Sequence, residues 1–449
     1  MTDRSVRYYV DCTETVCCGL NTGIQRTVRN IIARQSLIRE RTGLDVIPVV
    51  SFEGTFYRYC ADRDRKVFAP LVSKVLGASR DFIDRLFFQK KINIDGEAPA
   101  LSAGQQQHFE REQAHRRLVE ACRKMIPFLF HCAFWLDNGI DFNGKAEITD
   151  KDVIFYPDAF WYRSTYLTFT RYRALKILLL HDVIPLSAPA DCDPFYSFSF
   201  RRNLAEIVSK LDGIITISRS ELVQIKRYMD TIDCRCPLLI HNYWGADFLS
   251  AETGHAVREG FRRVFEAASV FIVVGSIEPR KNHKIVLDAF DEFWQQGGDA
   301  LLCVIGKATT HCLDIKQRID RHQFRGSKLF CFENVTDVEL AYGYQHCTAL
   351  VFASRAEGFG LPLVEAMWYG RPVIASDIPV FREIGGDYPR YFNLDDVQEL
   401  VRQLHAAVRS VDVEYSEPKK WLTWDQSVLN LFEKIASMAE QAAAGRSEM

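Results

Sequence analysis

Two glutamates, Glu357 and Glu365, lie eight residues apart on either side of a glycine-rich turn. Carboxylates accept hydrogen bonds from hydroxyl groups, including those of sugars. Gly358 and Gly360 permit a tight turn, and the turn precedes a predicted helix that begins at about Leu361. The first turn of a helix has unpaired N–H groups and a partial positive charge, so a phosphate group can bind there. The alternative is a solvated loop glutamate and a helix-surface glutamate that bind nothing.

The elements around this turn follow from apolar runs in the second half of the chain. Continuous apolar runs of strand length, as expected for a sheet covered on both faces, occur at 270–274, 301–306, 328–332, 349–353 and 372–376. Helical patterns separate them, including 284–296 and a helix that a capping box of Thr336 and Glu339 opens. This alternation predicts a parallel sheet with crossover helices from about 265 to 385.

A basic pair, Arg280 and Lys281, follows the first of these runs and Gly275. Adjacent basic residues in a loop are often ordinary surface charges. At the end of a buried strand, however, they are placed to neutralise a diphosphate, to which arginine offers a planar fork and lysine a point charge.

The run EGFGLPLVEAM at 357–367 resembles the signature of glycosyltransferase family 4, whose members use nucleotide sugars and have the two-domain GT-B architecture. The resemblance implies that Glu357 contacts the transferred sugar and that Glu365 holds the ribose hydroxyls. It also implies that Arg280 and Lys281 bind the diphosphate. The amides expected to meet the phosphate and sugar are those of Gly358, Phe359, Gly360 and Leu361.

The N-terminal half contains a similar strand, loop and helix pattern, with a loop rich in small residues. The TGIQR run at 22–26 is similar to that of family members that build bacterial surface polysaccharides. In them this loop faces the donor diphosphate and the acceptor. The resemblance therefore makes Gly19, Thr22, Gly23 and Arg26 candidate site residues. A plain strand-to-helix connection is the alternative.

His181 and Asp182 directly follow the apolar run at 177–180. Open parallel sheets bind ligands beyond the carboxyl ends of their strands. A single histidine in this place is also commonly a structural hydrogen-bonding residue. The HD-x-x-P pattern resembles that of family 4, in which this histidine lies beside the reacting sugar, and we expect both residues in the catalytic site.

The fold class that we expect is α/β, in the GT-B arrangement of two Rossmann-like, doubly wound domains that face each other across a cleft. The predicted domains are 1–247 for the acceptor, with a helical insertion at about 62–124, and 262–420 for the nucleotide sugar. The segment 421–449 is predicted to be a helix that returns to the first domain, with a tail that frays after about Ala442. The insertion is a solvated charged surface or, alternatively, a contact with the acceptor or a membrane surface.

Composition excludes several other classes of protein. The 449 residues are 47% hydrophobic, which suits two globular domains, and a net charge of −2 gives no reason to expect nucleic-acid binding. No apolar run approaches about 20 residues, the length that spans a bilayer. No secretory signal opens the chain, and the 13 cysteines lack paired spacing, so a cytoplasmic protein with reduced thiols is expected. Asp191 and Asp193 match the Asp-x-Asp pattern of a metal-binding motif, but they do not follow a strand. We therefore expect no metal.

The resulting hypothesis is a retaining glycosyltransferase that moves a sugar from a nucleoside diphosphate to a hydroxyl of a growing or lipid-linked glycan. The resemblance to mannosyl- and rhamnosyltransferases of O-antigen and capsule assembly favours a GDP-sugar donor, with the protein at the inner membrane face if its acceptor is lipid-linked. Two alternatives stay open: an epimerase or phosphorylase on the same fold, and a catalytically silent subunit that binds a nucleotide sugar. A Rossmann dehydrogenase is disfavoured, because no strand is followed by G-x-G-x-x-G.

Overall fold

The computed structural model describes most of both halves of the chain. The described residues are 5–18, 23–52, 54–59, 140–161, 163–192, 194–232, 237–248, 257–266, 269–309, 312–409 and 421–447. They fall into two compact units. Unit 1 is made of 1–178, 194–212 and 445–449, and unit 2 of 179–193 and 213–444. Gly19, Thr22 and the expected insertion at 62–124 lie outside the described residues.

Strands and helices alternate through both units. The strands are β1 (Arg7–Asp11), β2 (Asp45–Phe52), β3 (Thr55–Tyr59), β4 (Ile140–Lys145), β5 (Val153–Tyr156), β6 (Leu175–Leu180), β7 (Gly213–Thr216), β8 (Leu238–His241), β9 (Val270–Val274), β10 (Leu301–Ile305), β11 (Leu329–Phe332), β12 (Ala349–Phe352), β13 (Val373–Ser376) and β14 (Arg390–Phe392). The helices are α1 (Thr13–Cys18), α2 (Gly23–Ala33), α3 (Gln35–Thr42), α4 (Arg163–Arg171), α5 (Ile184–Ser187), α6 (Pro194–Ile207), α7 (Arg219–Met229), α8 (Glu259–Arg262), α9 (His283–Gln295), α10 (Leu313–Asp320), α11 (Asp337–His346), α12 (Leu361–Trp368), α13 (Pro379–Gly385), α14 (Val397–Arg409) and α15 (Trp424–Ser447).

Unit 1 is built on the strand order β4-β3-β2-β1-β5-β6. The central strand β1 runs parallel to β2 and β5, whereas β2, β3 and β4 form an antiparallel edge. The residues of β1, β5 and β6 are all buried, as the continuous apolar runs require for a sheet covered on both faces. The strand order reverses between β1 and β5.

Unit 2 contains the parallel pair of β7 and β8 and a second sheet with the order β11-β10-β9-β12-β13-β14. All neighbouring pairs of this second sheet run parallel. The order reverses between β9 and β12, so the loops that follow these two strands open a crevice where ligands of doubly wound folds bind. Apolar side chains of α9 and α14, including Phe290, Phe293 and Leu404, pack in the core of this sheet.

The structure confirms the predicted α/β class with two Rossmann-like parallel sheets. Helix α9 matches the predicted 284–296 within one residue, and Thr336 and Glu339 form the predicted capping box. Helix α15 extends to Ser447, and Arg446 near its end pairs with Asp212 and donates to the carbonyl of Arg173. Fraying after about Ala442 stays a prediction. The domain boundaries 1–247, 262–420 and 421–449 stay a prediction.

Candidate active site

The candidate site in unit 2 lies at the carboxyl ends of β9 and β12, where the strand order reverses. The loop after β9 carries Arg280 and Lys281 in a short 3₁₀ turn, Pro279–Lys281. The loop after β12 carries Glu357 and leads into α12. The two loops are joined by the backbone as well, since the N–H of Arg355 donates to the carbonyl of Arg280 at 2.7 Å.

Glu357 lies between both predicted phosphate-binding residues. Its Oε2 accepts a hydrogen bond from Arg280 Nη1 at 2.7 Å, and its Oε1 accepts from Lys281 Nζ and, at 2.7 Å, from Ser354 Oγ. The side chain of Glu357 is only 8% exposed, whereas those of Lys281 and Arg280 keep 11% and 20% of their surface accessible. The carboxylate is thus held by two cations that are themselves within reach of a ligand.

The opposite charges of this cluster stabilise one another, although burial and the charge of Arg280 lower the pKa of Lys281. Burial alone would raise the pKa of Glu357, but the charges of Arg280 and Lys281 lower it to about 2. Burial opposes the charged form of Arg280 too, yet the carboxylates of Glu357, Glu278 and Asp182 raise its pKa. Glu357 is therefore an anion at neutral pH, and Arg280 keeps its positive charge.

Two glycines shape the turn between Glu357 and α12. Gly360 has a φ of +95°, in the left-handed region that favours glycine, and a Cβ there would lie 3.0 Å from the ring of Phe381. Gly358 instead permits a close approach. A Cβ on it would lie 2.3 Å from the carbonyl oxygen of His181 and 3.0 Å from the Cβ of Asp182. The turn therefore packs directly against the segment that follows β6.

The structure thus brings His181 and Asp182 to the same site as Glu357. Asp182 Oδ1 accepts a hydrogen bond from the N–H of Ile184 at 3.2 Å, which turns the chain into α5. Burial raises the pKa of Asp182, and the charge of Arg280 opposes that rise. The catalytic roles of His181 and Asp182 stay predictions.

The remaining residues of the predicted donor site lie at the start of α12. Leu361 begins the helix, and Phe359, 2% exposed, contacts the rings of Tyr243 and Trp421. Glu365 is also 2% exposed, and its Oε2 accepts a hydrogen bond from the hydroxyl of Tyr344 at 2.8 Å. The sequence therefore placed these residues on the correct elements, while their ligand contacts stay predictions.

The predicted loop residues of the N-terminal half belong to unit 1. Gly23 is the first residue of α2, and Arg26 lies one turn further along it, where its carbonyl accepts a hydrogen bond from Asn30. Val28 and Ile31 of this helix are fully buried. The contact of this region with a donor or acceptor stays a prediction.

Several polar residues of the site were missed by sequence reasoning. Ser354 supports Glu357, and Glu278 pairs with Arg280 Nη2 at 2.7 Å. Glu383 accepts from the N–H groups of Arg219 and Ser220, and Glu221 accepts from the N–H of Val183. Glu278 and Ser354 had local signals, because Glu278 precedes Arg280 by two residues and Ser354 precedes Glu357 by three. The contacts of Glu383 and Glu221 join residues that are distant in sequence.

Two features are absent from the described residues. Within them, no three or more His, Cys, Asp or Glu side chains are grouped so that they could hold a metal ion. No described helix combines the length and apolarity that crossing a membrane requires.

The loops that carry the candidate site lie in a segment that resembles a known protein family. Residues 261–410, which include Arg280, Lys281, Glu357 and Glu365, match a family model. The family is "Glycosyl transferases group 1". The predicted resemblance to glycosyltransferases is confirmed for this segment, and the finer assignment to family 4 stays a prediction.

Curated relatives are mannosyltransferases. The chain is 31% identical over 280 residues to the serotype-specific mannosyltransferase WbdA of Escherichia coli, an alignment that covers 60% of this chain and 34% of WbdA. It is 27% identical over 223 residues to the O-antigen chain mannosyltransferase RfbU of Salmonella typhimurium, covering 49% of this chain and 57% of RfbU. The chain thus spans about a third of the length of WbdA and somewhat more than half that of RfbU.

Solved structures with the same fold cover nearly the whole chain. HepE from Anabaena, crystallised with UDP and glucose, has a TM-score of 0.51 at 13% identity, covering 99% of this chain and 100% of HepE. The N-terminal domain of trehalose-6-phosphate phosphatase from Candida albicans has a TM-score of 0.57 at 14% identity, covering 98% of each chain. At these identities the likeness concerns the fold alone, and it supports the GT-B class.

Proposed function

We propose that the protein is a glycosyltransferase that moves a hexosyl group from a nucleoside diphosphate sugar to a hydroxyl of a growing or lipid-linked glycan. The observation that carries this proposal is the arrangement of Arg280, Lys281 and Glu357 at the strand ends, beside the turn that opens α12. Two cations and a helix start suit a diphosphate, and a buried carboxylate suits sugar hydroxyls. The glycosyl transferase match covers these residues.

For the donor we propose GDP-mannose, with the product a segment of an O-antigen-type polysaccharide. The support is the names of the relatives, which are mannosyltransferases and include one that acts on the O-antigen chain. The TGIQR run at 22–26 and the EPRKNH run at 278–283 resemble the corresponding runs of such enzymes, which points the same way. The reaction takes place where nucleotide sugars are made, in the cytoplasm, at the membrane face when the acceptor is lipid-linked.

The chemical step that we propose retains the anomeric configuration. The bond between the anomeric carbon and the β-phosphate oxygen breaks, the acceptor oxygen bonds to that carbon from the same face, and the departing phosphate oxygen takes the acceptor's proton. Arg280 and Lys281 stabilise the negative charge that develops on the diphosphate, with help from the amides at the start of α12 and without a metal. Glu357 and His181 position the sugar, and neither forms a covalent intermediate.

A panel of nucleotide sugars tests the proposal first. The protein is heated with UDP-glucose, GDP-mannose or dTDP-rhamnose, and a ligand at about 100 times its dissociation constant adds about 2.7 kcal/mol of stability. We expect GDP-mannose to raise Tm most. Stabilisation by no nucleotide sugar would contradict the proposal.

A transfer assay with the stabilising donor and a mannosylated acceptor separates the remaining possibilities. Lys281→Ala is expected to weaken donor binding, and the matched variant Lys284→Ala, which removes an exposed lysine of α9 paired with Asp288, is expected to bind like wild type. Full transfer by Glu357→Ala would contradict the role proposed for Glu357. Free epimerised donor, phosphate-dependent release of sugar, or donor binding without any product would each overturn the assignment as a transferase.

A further inference from the structure

Glu221 is a buried glutamate near the active site that the proposed reaction does not use. It is the third residue of α7 and is 1% exposed. Its Oε2 accepts a hydrogen bond from the N–H of Val183 at 2.7 Å, across 38 residues of sequence. Val183 directly follows His181 and Asp182. The carboxyl group of Glu221 therefore holds the backbone of the segment that faces the turn between Glu357 and α12, called the Gly358 turn below.

The sequence alone assigns Glu221 a different role. Ser218 and Glu221 have the spacing of a capping box, in which the glutamate carboxylate returns to the N–H of the N-cap residue. Thr336 and Glu339 at the start of α11 form that box completely, with both hydrogen bonds present. In α7 the hydroxyl of Ser218 accepts from the N–H of Glu221, but the Glu221 carboxylate is directed to Val183.

This placement is costly, because burial disfavours the charged form of a carboxyl group. Burial and the charge of Asp182 are the leading causes that raise the pKa of Glu221 to about 8, and Glu383 and Glu357 add to the rise. These charged groups face Glu221 from the segment after β6, from α13 and from the Gly358 turn. Capping α7 does not require a buried carboxyl group close to three other carboxyl groups. The contact between Glu221 and Val183 therefore needs another explanation.

The Gly358 turn supplies that explanation. Its backbone approaches the carbonyl of His181 so closely that a Cβ on Gly358 would lie 2.3 Å from this oxygen. A segment packed this tightly needs a fixed backbone position, and the hydrogen bond from Val183 to Glu221 fixes it from the other side. The active-site segment is thus held between the Gly358 turn and Glu221.

We propose that Glu221 is a positioning residue, whose buried carboxyl group fixes the N–H of Val183 and thereby sets His181 and Asp182 against the Gly358 turn. Its effect on catalysis rests on the proposed function, whereas its effect on the backbone does not. The experiments therefore address the two effects separately.

Hydrogen exchange of the full chain without any ligand tests the backbone effect. In Glu221→Ala, we expect the amide of Val183 to exchange at least about 10-fold faster, since about 1.4 kcal/mol of lost protection corresponds to tenfold. Glu221→Gln keeps an acceptor oxygen at the same distance and should exchange like wild type. Glu339→Ala removes a buried glutamate at the same helix position of α11 and should leave Val183 unchanged. Equal exchange at Val183 in wild type and Glu221→Ala would overturn the proposal.

Transfer from GDP-mannose tests the catalytic effect. A misplacement of about 1 Å at a catalytic group lowers the rate about 100-fold, so we expect kcat of Glu221→Ala to fall about 10- to 100-fold with KM for the donor nearly unchanged. Glu221→Gln should restore most of kcat, whereas Glu339→Ala should lower Tm without that loss of kcat. A drop in kcat that only follows Tm in all three variants would show that Glu221 is merely structural.

The pH dependence of GDP binding gives a second readout. Ionised Glu221 adds a negative charge that acts on Glu357, the partner of Arg280 and Lys281, so the affinity of wild type for the GDP anion should fall as pH rises through about 8. Asp182, Glu357 and Glu383 are present in both proteins, and Glu221→Gln should lose this limb of the profile. An identical profile in the two proteins would contradict the placement of Glu221 beside the site. Failure of wild type to bind GDP would instead contradict the proposed function, and hydrogen exchange would still decide the backbone effect.

Discussion

Replacing Glu357 with glutamine is expected to strengthen the binding of a nucleoside diphosphate while it abolishes transfer. In the structure both cations that suit a diphosphate already hold an anion, because Arg280 and Lys281 bond to the two carboxylate oxygens of Glu357. A diphosphate that binds to these cations has to compete with this carboxylate. The amide of glutamine has nearly the same shape but no charge, so the competition weakens.

The magnitude follows from the contacts that are replaced. A hydrogen bond to a charged group contributes about 1.5–3 kcal/mol net, and Glu357 makes such contacts with both cations at 8% exposure. Glu357→Gln should lose one of these two contributions, since its amide oxygen still accepts one hydrogen bond. The dissociation constant of GDP should therefore fall at least about 10-fold, at about 1.4 kcal/mol for each factor of ten.

Calorimetric titration of wild type and Glu357→Gln with GDP and with UDP measures this difference. Neither probe contains the sugar, so the contact that we propose between Glu357 and the sugar does not affect the result. Glu278→Gln is the matched control, because Glu278 pairs with Arg280 Nη2 and is more exposed, at 25%. We expect it to increase affinity by a smaller factor. Unchanged or weaker binding by Glu357→Gln would refute the competition between carboxylate and diphosphate.

Three further predictions concern other parts of the molecule. Lys281→Ala should raise the dissociation constant of the donor at least about 10-fold, the value of one charge-assisted contact, and equal affinity by titration would contradict its role. Gly358→Ala should destabilise the protein by about 1–3 kcal/mol, as overpacking does, and abolish transfer, because the new Cβ would meet the carbonyl of His181. An unchanged denaturation midpoint would show that the turn at Gly358 and the segment at His181 are not in contact. Asp11 is fully buried at the end of β1, and burial raises its pKa from the ordinary 3.8 to about 7. The unfolded chain loses this proton at lower pH than the folded one, so wild type should lose stability between about pH 4 and 7. Asp11→Asn should avoid up to about 4 kcal/mol of that loss. Parallel pH profiles of the free energy of unfolding in the two proteins would contradict this expectation.

The parts of unit 2 that depend on local signals could be predicted from the sequence. Helix α9 and the capping box at Thr336 follow from apolar spacing and from side-chain bonds over three residues. The position of Glu357 between two strands follows from the same local patterns. Its bonds with Arg280 and Lys281 could not be read from spacing, because they depend on which strands become neighbours. The order of the strands, with β12 beside β9, decides this contact.

The two capping-box sequence motifs show why such contacts cannot be predicted from the sequence. SRSE at 218–221 and TDVE at 336–339 offer the same local hydrogen bonds, and in both the N-cap hydroxyl accepts from the glutamate N–H. Their carboxylates differ because their surroundings differ. Glu339 lies beside the cation Arg258, whereas Glu221 lies beside the N–H of Val183, which follows strand β6. The N–H of a residue that has just left a buried strand needs an acceptor. Glu221 provides it to Val183, so a residue with an ordinary local role also holds the segment that carries His181 and Asp182.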